Sequence, residues 1–137
     1  MTAVIDTPAP ANSRAAAIAG WTLTGLFGAF MLFDVGIKLA RLSMVEQTGA
    51  QLGLPPGSGF VIGLMEALIV GLYLVPRTAV LGAVLIAALM GGTAGVHLAN
   101  GNPLFSHILF GPYLALAAWG GLWLRDARLR SLLPIRR

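Results

Sequence analysis

The chain has 137 residues, of which 57% are hydrophobic and only 10% charged, a balance that fits a single domain whose main solvent is not water. Nine Lys and Arg against five Asp and Glu give a net charge of +4. Cysteine is absent, which excludes disulfides, thiolate metal sites and dithiol exchange, and with them membrane thiol oxidoreductase chemistry.

Residues 1–14 hold Pro8, Pro10, Asn12 and Ser13 with little periodicity and read as a disordered tail. The first apolar stretch, residues 15–37, is too long for the core of a cleaved signal peptide and is followed by no small-residue cleavage site, so it is expected to be a retained helix. Next, Ser43 and Glu46 have the spacing of a capping box, which predicts a short interfacial helix ending near Gly49 or Gly53. Three further apolar stretches follow at 57–75, 79–96 and 104–124, each near the roughly 20 residues that cross about 30 Å of hydrocarbon. Turn chemistry separates them: Pro55-Pro56-Gly57, Pro76-Arg77-Thr78 and Asn100-Gly101-Asn102-Pro103. The prediction is an all-α integral membrane four-helix bundle over residues 15–124 with antiparallel neighbours, followed by a basic tail at 125–137.

Basic residues resist translocation and collect on the cytoplasmic side. Arg14, Arg77, Arg125, Arg128, Arg130, Arg136 and Arg137 fall on one side of this topology, Lys38 and Arg41 on the other, which places both termini in the cytoplasm. The same rule, with attraction to anionic headgroups of the lipid bilayer, accounts for the basic tail without nucleic acid as a partner.

Helices in lipid associate through van der Waals contact at small residues. Gly59, Gly63, Ala67 and Gly71 form one such ridge, and Ala83, Ala87, Gly91 and Gly95 form another, suited to packing within the bundle, to self-association or to other membrane subunits. Trp21 and Trp123 lie near the expected cytoplasmic boundary and read as interfacial anchors.

The polar residues inside these spans are the candidates for function. Glu66 lies midway along its stretch, where an acidic residue costs roughly 2.5–3.5 kcal/mol and requires a partner, a proton or a watery cavity. The best candidate partner is Lys38, whose long stem can reach back into the bundle, with Asp34 one turn away on the same face. His97 closes the third span and His107 opens the fourth. With Thr93, helical spacing allows Asp34, Lys38, Glu66, His97 and His107 to gather round one polar pocket in the outer half; the bland alternatives are a helix-end ion pair and two interfacial histidines. The spacing matches no metal-binding motif, so no metal site is expected, and two histidines joined by a tight loop at one membrane edge argue against haem. No Walker sequence, dinucleotide-binding glycine pattern, nucleophile elbow or zinc-protease motif occurs.

From about residue 21 to 137 the order of these residues resembles the DoxX-like family of small bacterial four-span membrane proteins. The resemblance rests on Gly36-Ile37-Lys38-Leu39, Gly63-Leu64-Met65-Glu66, Leu74-Val75-Pro76-Arg77 and His97. It rests further on Gly101-Asn102-Pro103-Leu104-Phe105-Ser106-His107, Tyr113, and the run from Trp119-Gly120-Gly121 through Arg125-Asp126-Ala127-Arg128 to Pro134. It implies a bacterial inner-membrane location and an association with membrane oxidoreductase assemblies; the related DoxD branch is associated with thiosulfate oxidation coupled to membrane quinone. Lys38, Glu66, His97 and His107 are the positions where the family's polar character matches this chain.

Three functional classes fit these residues. The first is an accessory subunit of a membrane redox system that binds a quinone-like or small amphipathic ligand, with Glu66 and a histidine exchanging protons with ligand oxygens. The second is a non-catalytic interaction subunit in which Glu66 and Lys38 form a buried structural pair. The third is a pathway for a small solute or proton.

Overall fold

The computed structural model describes residues 13–133. The expected tail at 1–14 lies almost wholly outside the described residues, as do residues 134–137 of the expected basic tail. Helix α1, Arg14–Leu39, starts where Ser13 takes the N-cap and its hydroxyl accepts from the Ala16 N–H at 3.1 Å. It ends at Leu39 with Ala40 as the C-cap, and Arg41, at a φ of 53°, turns the chain away at a position where glycine is the usual solution.

The short helix α2, Ser43–Gln51, occupies the predicted interfacial position. The capping box does not form, because Leu42 is the N-cap and Ser43 is already helical. Glu46 reaches out of the helix instead, and its Oε2 accepts from the Gly57 N–H at 3.1 Å. That contact fixes the turn into α3, Ser58–Leu74. Helix α4, Ala79–Ala99, comes next. The last apolar stretch is not one uniform helix: a turn of π-helix, Leu104–Ile108, precedes α5, Phe110–Arg125. Finally α6, Ala127–Leu132, is capped by Asp126, which accepts from the N–H groups of Arg128 and Leu129, and buries Leu129. The first part of the basic segment is thereby folded back onto the bundle.

Among the described residues the fold is all helix. Arg14–Leu39, Ala79–Ala99 and Leu104–Arg125 are long and apolar enough to cross a membrane. Ser58–Leu74, with 17 residues, stands at the lower end of the range of about 17–25 that spans hydrocarbon. This is a multi-pass helical membrane protein. Helix α1 packs on α3 and α5, and α4 packs on the same two, so the four helices form a ring of antiparallel neighbours. Phe27, Met31, Val70, Tyr73, Ile86, Met90, Ala118 and Leu122 fill its centre. Leu26, Phe33, Leu68 and Leu116 point outward, as lipid-facing side chains can without cost.

Small residues do set the helix spacing, though only partly at the predicted positions. A side chain at Gly63 would meet Lys38 and Leu39, and one at Gly59 would meet Val45. By contrast Gly71, Gly91 and Gly95 face open space. The tightest approaches lie elsewhere: Gly20 and Gly121 bring α1 against α5, Gly82 brings α4 against Tyr73, and Gly111 brings α5 against Met90 and Thr93.

Candidate functional site

Asp34 and Lys38 stand one turn apart on α1, and Glu66 faces them from the middle of α3. Lys38 Nζ lies 2.5 Å from Asp34 Oδ2 and 2.7 Å from both carboxylate oxygens of Glu66. Gly63, one turn before Glu66, makes this possible. A Cβ there would fall 2.8 Å from Lys38 Cβ, so only glycine lets the lysine stem lie flat across α3. The Glu66 side chain is 2% exposed, whereas those of Lys38 and Asp34 are 19% and 25% exposed. The triad therefore runs from the bundle interior to its surface. An ammonium has three N–H donors, and all three are taken. One cation faces two acids.

The two histidines form a second group. Their ring centroids are 5.6 Å apart with the planes at 68°. His97 Nδ1 pairs with the Asn102 amide at 3.0 Å, and His107 Nδ1 with Ser106 Oγ at 2.8 Å. Thr93 turns back to donate to its own helix at the Met90 carbonyl. Among the described residues no hydrogen bond joins the imidazoles to the triad, so the polar residues expected round one pocket form two separately hydrogen-bonded groups. Both lie at the same end of the bundle, where Asn100 Nδ2 donates to the Leu52 carbonyl at 3.2 Å and ties the histidine loop to the end of α2.

The opposite end holds a polar cluster that sequence reasoning missed. Tyr73 is fully buried on α3; its hydroxyl donates to the Ala118 carbonyl of α5 at 2.7 Å and lies 3.4 Å from Thr24 Oγ1 of α1. The Arg125 guanidinium sits 4.4 Å over the Trp21 ring and 5.6 Å over that of Tyr73. Cation–π stacking thus engages Trp21, read from the sequence only as an interfacial anchor, and Arg125, read only as a topology signal. The available clue was Tyr73 itself, since a buried phenol needs a partner. Tyr73→Phe is expected to cost about 1 kcal/mol, the net worth of one such bond, read as an earlier midpoint in a detergent unfolding titration.

Two surface grooves lie apart from the triad and the imidazoles, the first of them beside the Trp21–Arg125 stack. One of about 400 Å³ is lined by Trp21, Pro76, Leu122, Arg125, Asp126 and Arg128. The other, of about 440 Å³, runs between α4 and α5 and is lined by Ala87, Met90, Gly91, Pro112, Ala115 and Trp119. Neither includes the triad or the imidazoles. Among the described residues no group of three or more His, Asp or Glu is set to hold a metal ion. The chain matches the model of the DoxX-like family over residues 22–121, a range that takes in the triad and the histidines and stops short of Arg125. No curated protein and no solved structure matches it.

Proposed function

Starting from the fact that the chain belongs to the DoxX-like family, we propose that it is an accessory subunit of a membrane redox assembly in which the Asp34–Lys38–Glu66 triad exchanges protons with a quinone-like or similar amphipathic ligand. The observation that carries this reading is the surplus acid. A structural ion pair needs one carboxylate per ammonium, and here two carboxylates share Lys38. The second acid either bears an uncompensated charge inside hydrocarbon, which is costly, or takes up a proton. Asp34 and Lys38, being partly exposed, give that proton a way between Glu66 and a ligand arriving at the surface of α1. Reduction of a quinone to a quinol consumes two electrons and two protons. The electrons come from a partner subunit, and the triad, which holds one surplus proton and regains it from water through the partly exposed Asp34 and Lys38, passes the two protons in turn on the face opposite Arg125, the outer face if both termini are cytoplasmic as the arginine distribution predicts.

Glu66→Gln keeps the shape and removes the proton site. In native membranes it should lower quinone-linked turnover roughly a hundredfold while leaving the protein assembled. Unchanged turnover, together with no quinone retained by the purified protein, would end this reading. A second reading has its own support: every Lys38 donor is used internally and Gly63 is shaped to the lysine stem, as expected of a pair that fixes the register of α1 on α3 within a larger complex. On that reading Glu66→Gln weakens assembly in proportion to any loss of activity.

A further inference from the structure

We infer that His97 and His107 together form a binding site for a divalent first-row transition ion such as Zn²⁺ or Cu²⁺, at the end of the bundle that carries α2. In a tetrahedral site with metal–nitrogen bonds of about 2.0–2.1 Å, and ring centroids about 1.1 Å beyond the nitrogens, two imidazole centroids stand roughly 5.2 Å apart. The two rings here are 5.6 Å apart and edge to face, within about half an ångström of that spacing. Both Nδ1 atoms are already engaged, one by Asn102 and one by Ser106, while neither Nε2 has a hydrogen-bond partner among the described residues. A metal-binding histidine has its far nitrogen steadied by a neighbour that accepts its proton: the Ser106 hydroxyl can do so directly, whereas the Asn102 amide, whose Nδ2 faces His97 Nδ1, does so once it is turned over to present Oδ1.

The backbone points the same way. Leu104–Ile108 is a π-turn where a uniform span was expected, with the His107 and Ile108 N–H groups both meeting the Pro103 carbonyl. Widening one turn by a residue rotates the segment ahead of α5 by about 100° relative to a continuous α-helix. That places His107 against the last turn of α4 and beside His97. Gly101, at φ 65°, lets the intervening loop close tightly enough for Asn102 to reach His97. His107 is exposed, so two coordination positions are open to water or to a group from another molecule. Imidazole ligands suit zinc, copper and nickel and disfavour magnesium or calcium.

The site stands independently of the redox reading. It is tested on the full chain, purified without a polyhistidine tag in detergent, by titration with Zn²⁺ followed calorimetrically and with Co²⁺ followed by visible absorption. The expected result is one ion per chain. His97→Asn and His107→Asn should each weaken it at least tenfold, and Asn102→Ala, which removes only the supporting contact, about 10–100-fold. Circular dichroism of each metal-free variant checks that the helices remain. Equal binding by the double variant His97→Asn/His107→Asn, or no binding by the wild-type chain, would overturn the proposal.

Discussion

Replacing Lys38 by Met is expected to destabilise the bundle by about 3–5 kcal/mol, the range seen when one partner is removed from a buried ion pair. The cost comes less from the missing attraction than from what remains: Glu66, with a side chain only 2% exposed, is left facing Asp34 with no cation between them. The double replacement Lys38→Met with Glu66→Leu removes both the charge and its counter-charge and should recover most of the loss, since apolar substitutes for a buried pair are often neutral or stabilising. Unfolding titrations of the two single variants and the double variant in one detergent form a closed cycle, with an expected coupling of at least about 2 kcal/mol. Additive losses would mean that the triad contributes nothing to holding α1 on α3. Assaying the same three proteins for quinone-linked turnover separates the two readings of the triad. A double variant that is stable but inactive supports proton exchange, and one that is stable and active supports a structural pair.

The membrane helices and the Lys38–Glu66 partnership were legible because each has a steep energetic cause. Continuous apolar stretches between proline- and glycine-containing turns have one stable solution in lipid, and an acid in the middle of a span must find a cation within reach of a side chain. Asp34 followed from the one-turn spacing along α1. The histidines sit together at one end of the bundle but bond to loop neighbours and not to the triad, because helical periodicity gives the end and the face of a residue and not its partners across the bundle. The π-turn at Leu104–Ile108 left no trace in hydropathy, which is alike for α- and π-helical turns. Arg125 and Tyr73 were hidden for another reason. An arginine at a span's end satisfies the topology rule whether it faces water or stacks on rings, and only the arrangement of three helices brings Trp21, Tyr73 and Arg125 together. Glycine spacing was the most misleading signal, since a four-residue repeat identifies a smooth face but not what lies against it.

Two glycines of α4 should accordingly respond in opposite ways to the same substitution. At Gly82 an added methyl would land on the backbone nitrogen of Tyr73, 2.5 Å from its Cα and 2.8 Å from its Cβ, so no rotation of a flexible side chain can make room. Either α4 moves away from α3 or Tyr73 moves, and the hydroxyl of Tyr73 is bonded across to Ala118 on α5. Gly82→Ala should therefore cost about 1–3 kcal/mol by overpacking, and the damage should spread to the α1–α3–α5 contact through Tyr73. At Gly91, on the ridge read from the sequence as a packing face, nothing lies within 4 Å. Gly91→Ala meets no obstacle and removes the conformational cost of glycine in a helix, so stability should hold or rise by up to about 1 kcal/mol. Unfolding midpoints measured side by side decide the matter. If instead Gly91→Ala is the damaging change in native membranes while it is harmless in the purified monomer, the open ridge of α4 is covered there by another helix, and the sequence pattern was reporting a contact between chains.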